Sequence, residues 1–170
     1  MGYAYRNGAP FFFWYNRHEI TPFPRLPMQQ TLILLKPDAV QNRVCGKVMD
    51  CFEQEGFTIR GCKMMYLSSE LLREHYAHIA DKPFYPEVET FMQSAPVIAL
   101  VLEGEDIINR MRDMLGVTDS KAAAPGTIRA EFGSKDGESK MKNIAHASDS
   151  PEAAEKEIAR FFKENELFSY

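Results

Sequence analysis

Two uninterrupted apolar segments constrain the fold of this chain more than any other feature. Residues 31–35 and 97–102 contain no charged side chain, and short apolar runs of this kind predict buried strands. We expect the second segment to lie at the centre of a sheet. Between and after the two segments, apolar residues recur at spacings of three and four, which predicts helices that pack on that sheet.

Glycine, proline and capping residues give the order of the remaining elements. The expected boundary residues are Asp106 and Ser150 as helix N-caps, and Gly56, Pro83 and Gly116 as helix ends. The predicted elements are strand 31–35, helix 44–52, strand 58–67, helices 71–79 and 88–92, strand 97–102, helix 107–115, a long loop over 117–141, strand 142–145 and a helix from 151. This order predicts an α+β sandwich of βαββαβ type.

Size and charge narrow the possible functions. A chain of 170 residues is expected to form one domain with at most a short appendage. The formal net charge is −4, so the broad attraction that drives nonspecific nucleic-acid binding is missing. We therefore expect no nucleic-acid partner, and any polyanionic ligand must be met by a local cluster of positive side chains.

The first 30 residues differ from the rest of the chain. They hold eight of the 20 aromatic residues, the only Trp, and one acidic residue, Glu19. We predict an N-terminal extension over 1–30 and a domain over 31–170, with Met28 as a possible start of the folded unit. The extension is either loose, or the product of a misassigned start codon, or a segment that docks on the domain or a partner. Its aromatic run lacks the small-residue cleavage site of a secretory signal, so export is not expected.

The cysteines indicate the compartment. Cys45, Cys51 and Cys62 are odd in number and form no C-x-x-C pair, which favours reduced thiols over a disulfide framework or a zinc site. A cytoplasmic location is expected. The sequence contains no run of about 18 apolar residues, so no membrane-spanning helix is predicted.

Any nucleotide would have to be held by side chains. The chain lacks the glycine-rich phosphate loops G-x-G-x-x-G and G-x-x-x-x-G-K-[ST]. Cationic and hydroxyl candidates stand at the ends of predicted elements instead: Lys36, Arg112, Thr118 and Arg129.

The densest polar feature lies over residues 143–150, where His146 stands at a strand end just before a helix start. A hydrolase triad made from His146, Ser148 and Asp149 is not expected, because such close neighbours in sequence cannot line up nucleophile, base and orienting group. On local sequence alone, His146 is either a structural or a catalytic histidine.

Five motifs in order are similar to those of nucleoside diphosphate kinases. They are Lys36-Pro37-Asp38-Ala39-Val40, Pro83-Phe84-Tyr85, Arg112-x-x-Leu115-Gly116-x-Thr118, Pro125-Gly126-Thr127-Ile128-Arg129 and Asn143-x-x-His146-x-Ser148-Asp149-Ser150. The match covers nearly all of residues 31–170. The resemblance implies a ferredoxin-like fold with a four-stranded antiparallel sheet covered by helices. It also implies transfer of the γ-phosphoryl group of a nucleoside triphosphate, typically ATP, to a nucleoside diphosphate.

The resemblance also implies roles for individual residues. His146 would be the phosphorylated nucleophile of a ping-pong reaction, and Ser148 and Glu157 would orient its imidazole. The nucleotide-binding residues would be Arg112, Thr118 and Arg129 at the phosphates, Lys36 and Asn143 at the ribose 3′-hydroxyl, and Phe84 stacked on the base. Mg²⁺ would bridge phosphate oxygens, with no metal ligand from the protein, and the H-x-x-H pair His75 and His78 is not expected to bind a metal.

Three departures from the family pattern bear on assembly and on the base site. Ala147 replaces the usual glycine after the histidine, Ser120 stands where the loop often has proline, and residues 132–142 are longer and more polar than expected. The resemblance implies a homo-oligomer, a hexamer or a tetramer, and the missing loop proline favours a less stable assembly. Two alternatives are a catalytically silent relative that serves as an interaction module, and an RRM-like RNA-binding module, which would need strand aromatics and a basic face.

Overall fold

The computed structural model describes residues 5–6, 9–10, 26–138 and 140–170. The expected extension over 1–30 lies mostly outside the described residues. Two short strands, β1 (Tyr5–Arg6) and β2 (Ala9–Pro10), pair with each other. Four further strands form the main sheet: β3 (Met28–Leu35), β4 (Thr58–Met65), β5 (Val97–Glu105) and β6 (Ala145–Ala147).

The main sheet has the order β4-β5-β3-β6, and all of its pairings are antiparallel. The predicted strand over 97–102 is therefore central, as expected. The first strand begins at Met28 rather than residue 31, because Met28 already pairs with Glu105 across the sheet. The last strand is displaced from the expected 142–145 to Ala145–Ala147, since its register is set by three pairs with β3.

Seven helices surround the sheet in the described part of the chain. They are α1 (Pro37–Gln41), α2 (Cys45–Gln54), α3 (Ser69–His75), α4 (Tyr85–Gln93), α5 (Ile107–Leu115), α6 (Ile128–Phe132) and α7 (Pro151–Phe161), with a 3₁₀ turn at Glu164–Glu166. The helix α6 interrupts the predicted long loop. None of the described helices is both long enough and apolar enough to cross a membrane.

The helix boundaries follow the predictions except at Pro83 and Asp106. The helix predicted over 71–79 with Pro83 as its end is α3, which stops at His75, well before that proline. Ser150 Oγ accepts a hydrogen bond from the amide of Ala153, and Gly116 closes α5 at a φ of 78°. Asp106 occupies the N-cap position of α5, but the prediction that it caps the helix with its side chain is wrong. Its backbone is left-handed, and its carboxylate accepts from the side-chain amide of Asn109 instead.

Alternating side chains of β3 enter two cores. Leu32 and Leu34 pack with α3, α4 and α7 on one face, whereas Ile33 and Leu35 pack with α2 and α5 on the other. Burial on both faces explains why residues 32–35 of this strand are apolar at every position rather than at every second one. An RRM needs an open sheet face for bases, and the two covered faces of this sheet argue against that alternative.

Candidate active site

A left-handed residue just before β6 carries the segment that leads to His146. Ile144 has a φ of 74°, an unfavourable conformation for a β-branched residue. Its amide donates to Asp38 Oδ2 at 3.0 Å, and its carbonyl accepts from the Lys36 amide at 2.8 Å. The start of α1 therefore fixes the conformation of the chain two residues before the histidine.

His146 lies within a chain of hydrogen bonds that starts at the sheet. The amide of Leu32 donates to Ser148 Oγ at 3.1 Å, and Ser148 Oγ donates to Glu157 Oε2 at 2.6 Å. Both carboxylate oxygens of Glu157 lie 3.1 Å from His146 Nε2. The three residues expected at the catalytic centre are thus brought together: His146 lies on β6, Ser148 directly follows that strand, and Glu157 lies on α7.

The carboxylate selects one state of the imidazole. Burial of Glu157 opposes its ionisation, but hydrogen bonds from His146 and Ser148 outweigh that effect and hold the pKa of Glu157 below its usual value. A carboxylate at Nε2 favours the neutral tautomer that carries its proton there. Nδ1 of His146 then keeps a lone pair, and the side chain remains 23% exposed.

Lys36 and Asn143 also meet, as expected for a shared ligand group. Lys36 Nζ donates to Asn143 Oδ1 at 2.6 Å, and Asn143 Nδ2 donates to the carbonyl of Thr118 at 2.9 Å. Burial lowers the pKa of Lys36 to about 8, although the nearby Asp38 carboxylate opposes this shift and Arg129 adds to it. The amine is thus cationic at neutral pH but closer to titration than an ordinary lysine.

Arg129 also binds backbone carbonyls, which the sequence did not indicate. Its guanidinium donates to the carbonyls of Gly116 at 2.7 Å, Ala145 at 2.9 Å and Asn143 at 3.4 Å. These contacts tie the end of α5 to the segment that precedes His146. A guanidinium has five N–H donors, so two remain for a ligand.

The other expected binding residues are exposed. Arg112 lies on α5, Thr118 follows that helix, and Phe84 immediately precedes α4 with 49% of its surface exposed. The structure leaves these three side chains open to solvent.

Two neighbours of the site were not assigned a role from sequence. Asp38 belongs to a quoted motif, but its bond to Ile144 depends on a contact between residues 106 positions apart. His75 ends α3 with its ring 4.7 Å from the His146 ring, whereas His78 lies beyond the helix and is exposed. The H-x-x-H spacing therefore does not correspond to a shared helical face.

Comparisons with known proteins give matches over most of the chain. A family model described as Nucleoside diphosphate kinase matches residues 29–167. The chain is 46% identical over 143 residues to a nucleoside diphosphate kinase of Rhodopirellula baltica, covering 84% of this chain and 91% of that protein. A Parabacteroides distasonis protein of the same name is 45% identical with the same two coverages.

Two solved structures have the same fold. A nucleoside diphosphate kinase of Aquifex aeolicus has a TM-score of 0.78 at 45% identity, over 84% of this chain and all of that one. A halophilic nucleoside diphosphate kinase from Halobacterium salinarum, in complex with CDP, has a TM-score of 0.79 at 38% identity, over 85% of this chain and 93% of that one.

Proposed function

The chain belongs to the nucleoside diphosphate kinase family, and we propose that its transfer of the γ-phosphoryl group from a nucleoside triphosphate to a diphosphate passes through Nδ1 of His146. The carrying observation is the bond between Nε2 and Glu157, with 3.1 Å to each carboxylate oxygen. Because that bond keeps the proton on Nε2, Nδ1 is available as a nucleophile without a separate base.

The phosphoryl transfer needs no nucleophile other than the His146 side chain. The Nδ1 lone pair forms a bond to the γ-phosphorus while the bond to the β,γ-bridging oxygen breaks, and that electron pair leaves on the diphosphate. The Nε2 proton stays between His146 and Glu157, whose carboxylate stabilises the positive charge that develops on the ring. The second diphosphate reverses the step, which gives ping-pong kinetics.

We infer that Lys36 and Asn143 bind the ribose 3′-hydroxyl, whereas Arg112, Thr118 and Arg129 bind the phosphates. Their support is the 2.6 Å bond between Lys36 and Asn143 and the two N–H groups that Arg129 keeps for a ligand. Phe84 offers an exposed ring to the base. Because stacking reads the π-face rather than the hydrogen-bond pattern, several bases would be accepted.

The family needs a divalent cation, and we infer that this ion is Mg²⁺ bound through the nucleotide phosphates. The cationic side chains of Lys36, Arg112 and Arg129 would not ligate a cation, so the phosphate oxygens and water would supply most of its ligands. When bound, Mg²⁺ neutralises charge on the phosphates.

We also propose a homo-oligomer, hexameric or tetrameric, and a cytoplasmic location. Membership of the family supports the homo-oligomer. The free thiols of Cys45, Cys51 and Cys62 support the cytoplasmic location.

The test is phosphorylation with γ-labelled ATP and Mg²⁺. Wild-type protein should acquire an acid-labile, base-stable phosphoramidate that added nucleoside diphosphate discharges as triphosphate. The His146→Ala protein should still bind nucleotide, measured by calorimetry, but should take up no label, while the exposed-site variant His78→Ala should behave as wild type. Label on Ser148 or Ser150, or exchange by His146→Ala at the wild-type rate, contradicts the proposal.

A further inference from the structure

His75 is a buried imidazole without a hydrogen-bond partner. Its side chain is 1% exposed, and neither ring nitrogen has a partner in the described structure. An unsatisfied buried polar group costs about 1–3 kcal/mol, so its presence requires an explanation. Glu157 Oε1 is 3.9 Å from His75 Nδ1, which is too far for a hydrogen bond.

The unpaired imidazole faces two further donor groups. One ligand atom from each of His75, His146 and Glu157 lies within 4.8 Å of the others, and the two histidine rings are nearly perpendicular at 81°. A tetrahedral ion with bonds of about 2.0–2.2 Å separates its ligand atoms by roughly 3.3–3.5 Å. The measured separations from Glu157, 3.1 Å to His146 and 3.9 Å to His75, bracket that value.

The chemistry of the donors selects the ion. Two imidazoles and one carboxylate form a set typical of zinc, whereas Mg²⁺ prefers oxygen ligands and keeps its waters. Burial and the neighbouring His146 lower the pKa of His75 to about 3, so the ring is neutral at pH 7, as a ligand must be. An ion here is therefore distinct from the one that enters with the nucleotide.

We propose that His75, Glu157 and His146 form a site for Zn²⁺ that inhibits phosphoryl transfer. The consequence for activity rests on the proposed role of His146. Coordination by Nε2 uses the lone pair of that atom, so the proton of the neutral ring must move to Nδ1. The Nδ1 lone pair is then no longer available to attack phosphorus, and no proton is lost or gained overall.

The site is tested with the full chain, free of nucleotide, and Co²⁺ as a spectroscopic substitute for Zn²⁺. We expect one Co²⁺ per chain with the visible absorption of a tetrahedral ion, lost on addition of Zn²⁺. Thiolate-to-cobalt charge transfer should be absent, which separates the site from Cys62 on the surface. His75→Phe should weaken Co²⁺ binding at least tenfold, and the exposed variant His78→Gln should not. Equal binding by wild type and His75→Phe, or dependence on His78, overturns the site.

Inhibition is measured separately, as exchange between ATP and a diphosphate in excess Mg²⁺. Zn²⁺ should inhibit the wild type and His78→Gln, and a chelator should restore the rate. His75→Phe should need at least tenfold more Zn²⁺ for the same fractional loss of its own zinc-free rate. If His75→Phe does not fold by circular dichroism, His75→Gln replaces it. Co²⁺ binding without zinc inhibition supports the site but overturns its inhibitory effect, whereas the labelling of His146→Ala tests the nucleophile separately.

Discussion

Asp38 Oδ2 accepts the amide hydrogen of Ile144 at 3.0 Å, which joins the start of α1 to a left-handed residue two positions before His146. Ile144 is fully buried, so water cannot replace that acceptor. The bond therefore has two effects. It satisfies the buried amide of Ile144, and it holds the strained backbone of that residue close to the reacting nitrogen of His146.

Two substitutions of Asp38 distinguish the loss of the hydrogen-bond acceptor from the loss of the carboxylate charge. Asp38→Ala should lower the free energy of unfolding by about 1–3 kcal/mol, because the Ile144 amide loses its partner. Asp38→Asn keeps an acceptor oxygen and should lose less. Chemical denaturation of the two variants and the wild type measures the difference. Equal losses in both variants would show that the carboxylate charge, rather than the acceptor, matters.

The pKa of Lys36, about 8, predicts a pH dependence of substrate binding. As pH rises above that value, Lys36 loses its charge and the KM for the diphosphate should increase. Lys36→Arg stays charged, so its KM should lack this inflection, and the exposed variant Lys47→Arg should keep it. An unchanged wild-type KM between pH 7 and about 9 contradicts the assignment.

The same pKa predicts that folding stability rises with pH, whereas substrate binding weakens. The folded pKa lies below the unfolded value, so between about pH 8 and 10 the unfolded chain binds more protons. Lys36 should therefore make the free energy of unfolding rise with pH in that window. Denaturation curves at several pH values should show this rise in the wild type but not in Lys36→Arg.

The elements that the sequence predicted well are those with continuous apolar runs or clear capping residues. The central strands and the helix from Pro151 followed from continuous apolar runs and capping residues that act locally. The short helix α6 did not, because its Thr127 cap lies in a stretch dominated by loop residues. The position of β6 was also displaced, since only three pairs with β3 define it.

The site was predictable in its residues but not in its connections. The motifs contain His146 and Ser148, the family resemblance added Glu157, and the structure brings the three together. The orientation of His75 depends on packing against Phe161 and His146, which no local pattern contains. The same holds for Arg129, whose three carbonyl partners come from separate parts of the chain.

The carboxylate at Nε2 predicts different losses from two substitutions. Glu157→Gln can donate its amide to Nε2 and stabilise the tautomer with the proton on Nδ1. We expect phosphoenzyme formation to slow by at least about 10²-fold, since a wrong tautomer removes the nucleophile. Ser148→Ala removes only the bond to Glu157 and the acceptor of the Leu32 amide, and about a tenfold loss is expected. Rapid-quench measurements with labelled ATP give both rates. A larger loss in Ser148→Ala than in Glu157→Gln would contradict the tautomer argument.

A chain that begins at Met28 should retain catalysis, because Met28 is the first residue paired in the main sheet and every site residue follows it. Among the described residues, one backbone hydrogen bond is lost: the carbonyl of Pro27 accepts from the amide of Asp106 at 3.2 Å. One hydrogen bond is worth about 1 kcal/mol, so Tm should fall by about 2–4 °C. A chain that begins at Leu26 after an initiator methionine keeps that acceptor and should recover the difference. Thermal melts and exchange rates of both shortened chains and the full chain provide the measurement. A large loss of turnover in both shortened chains would show instead that the N-terminal extension is an integral part of the enzyme.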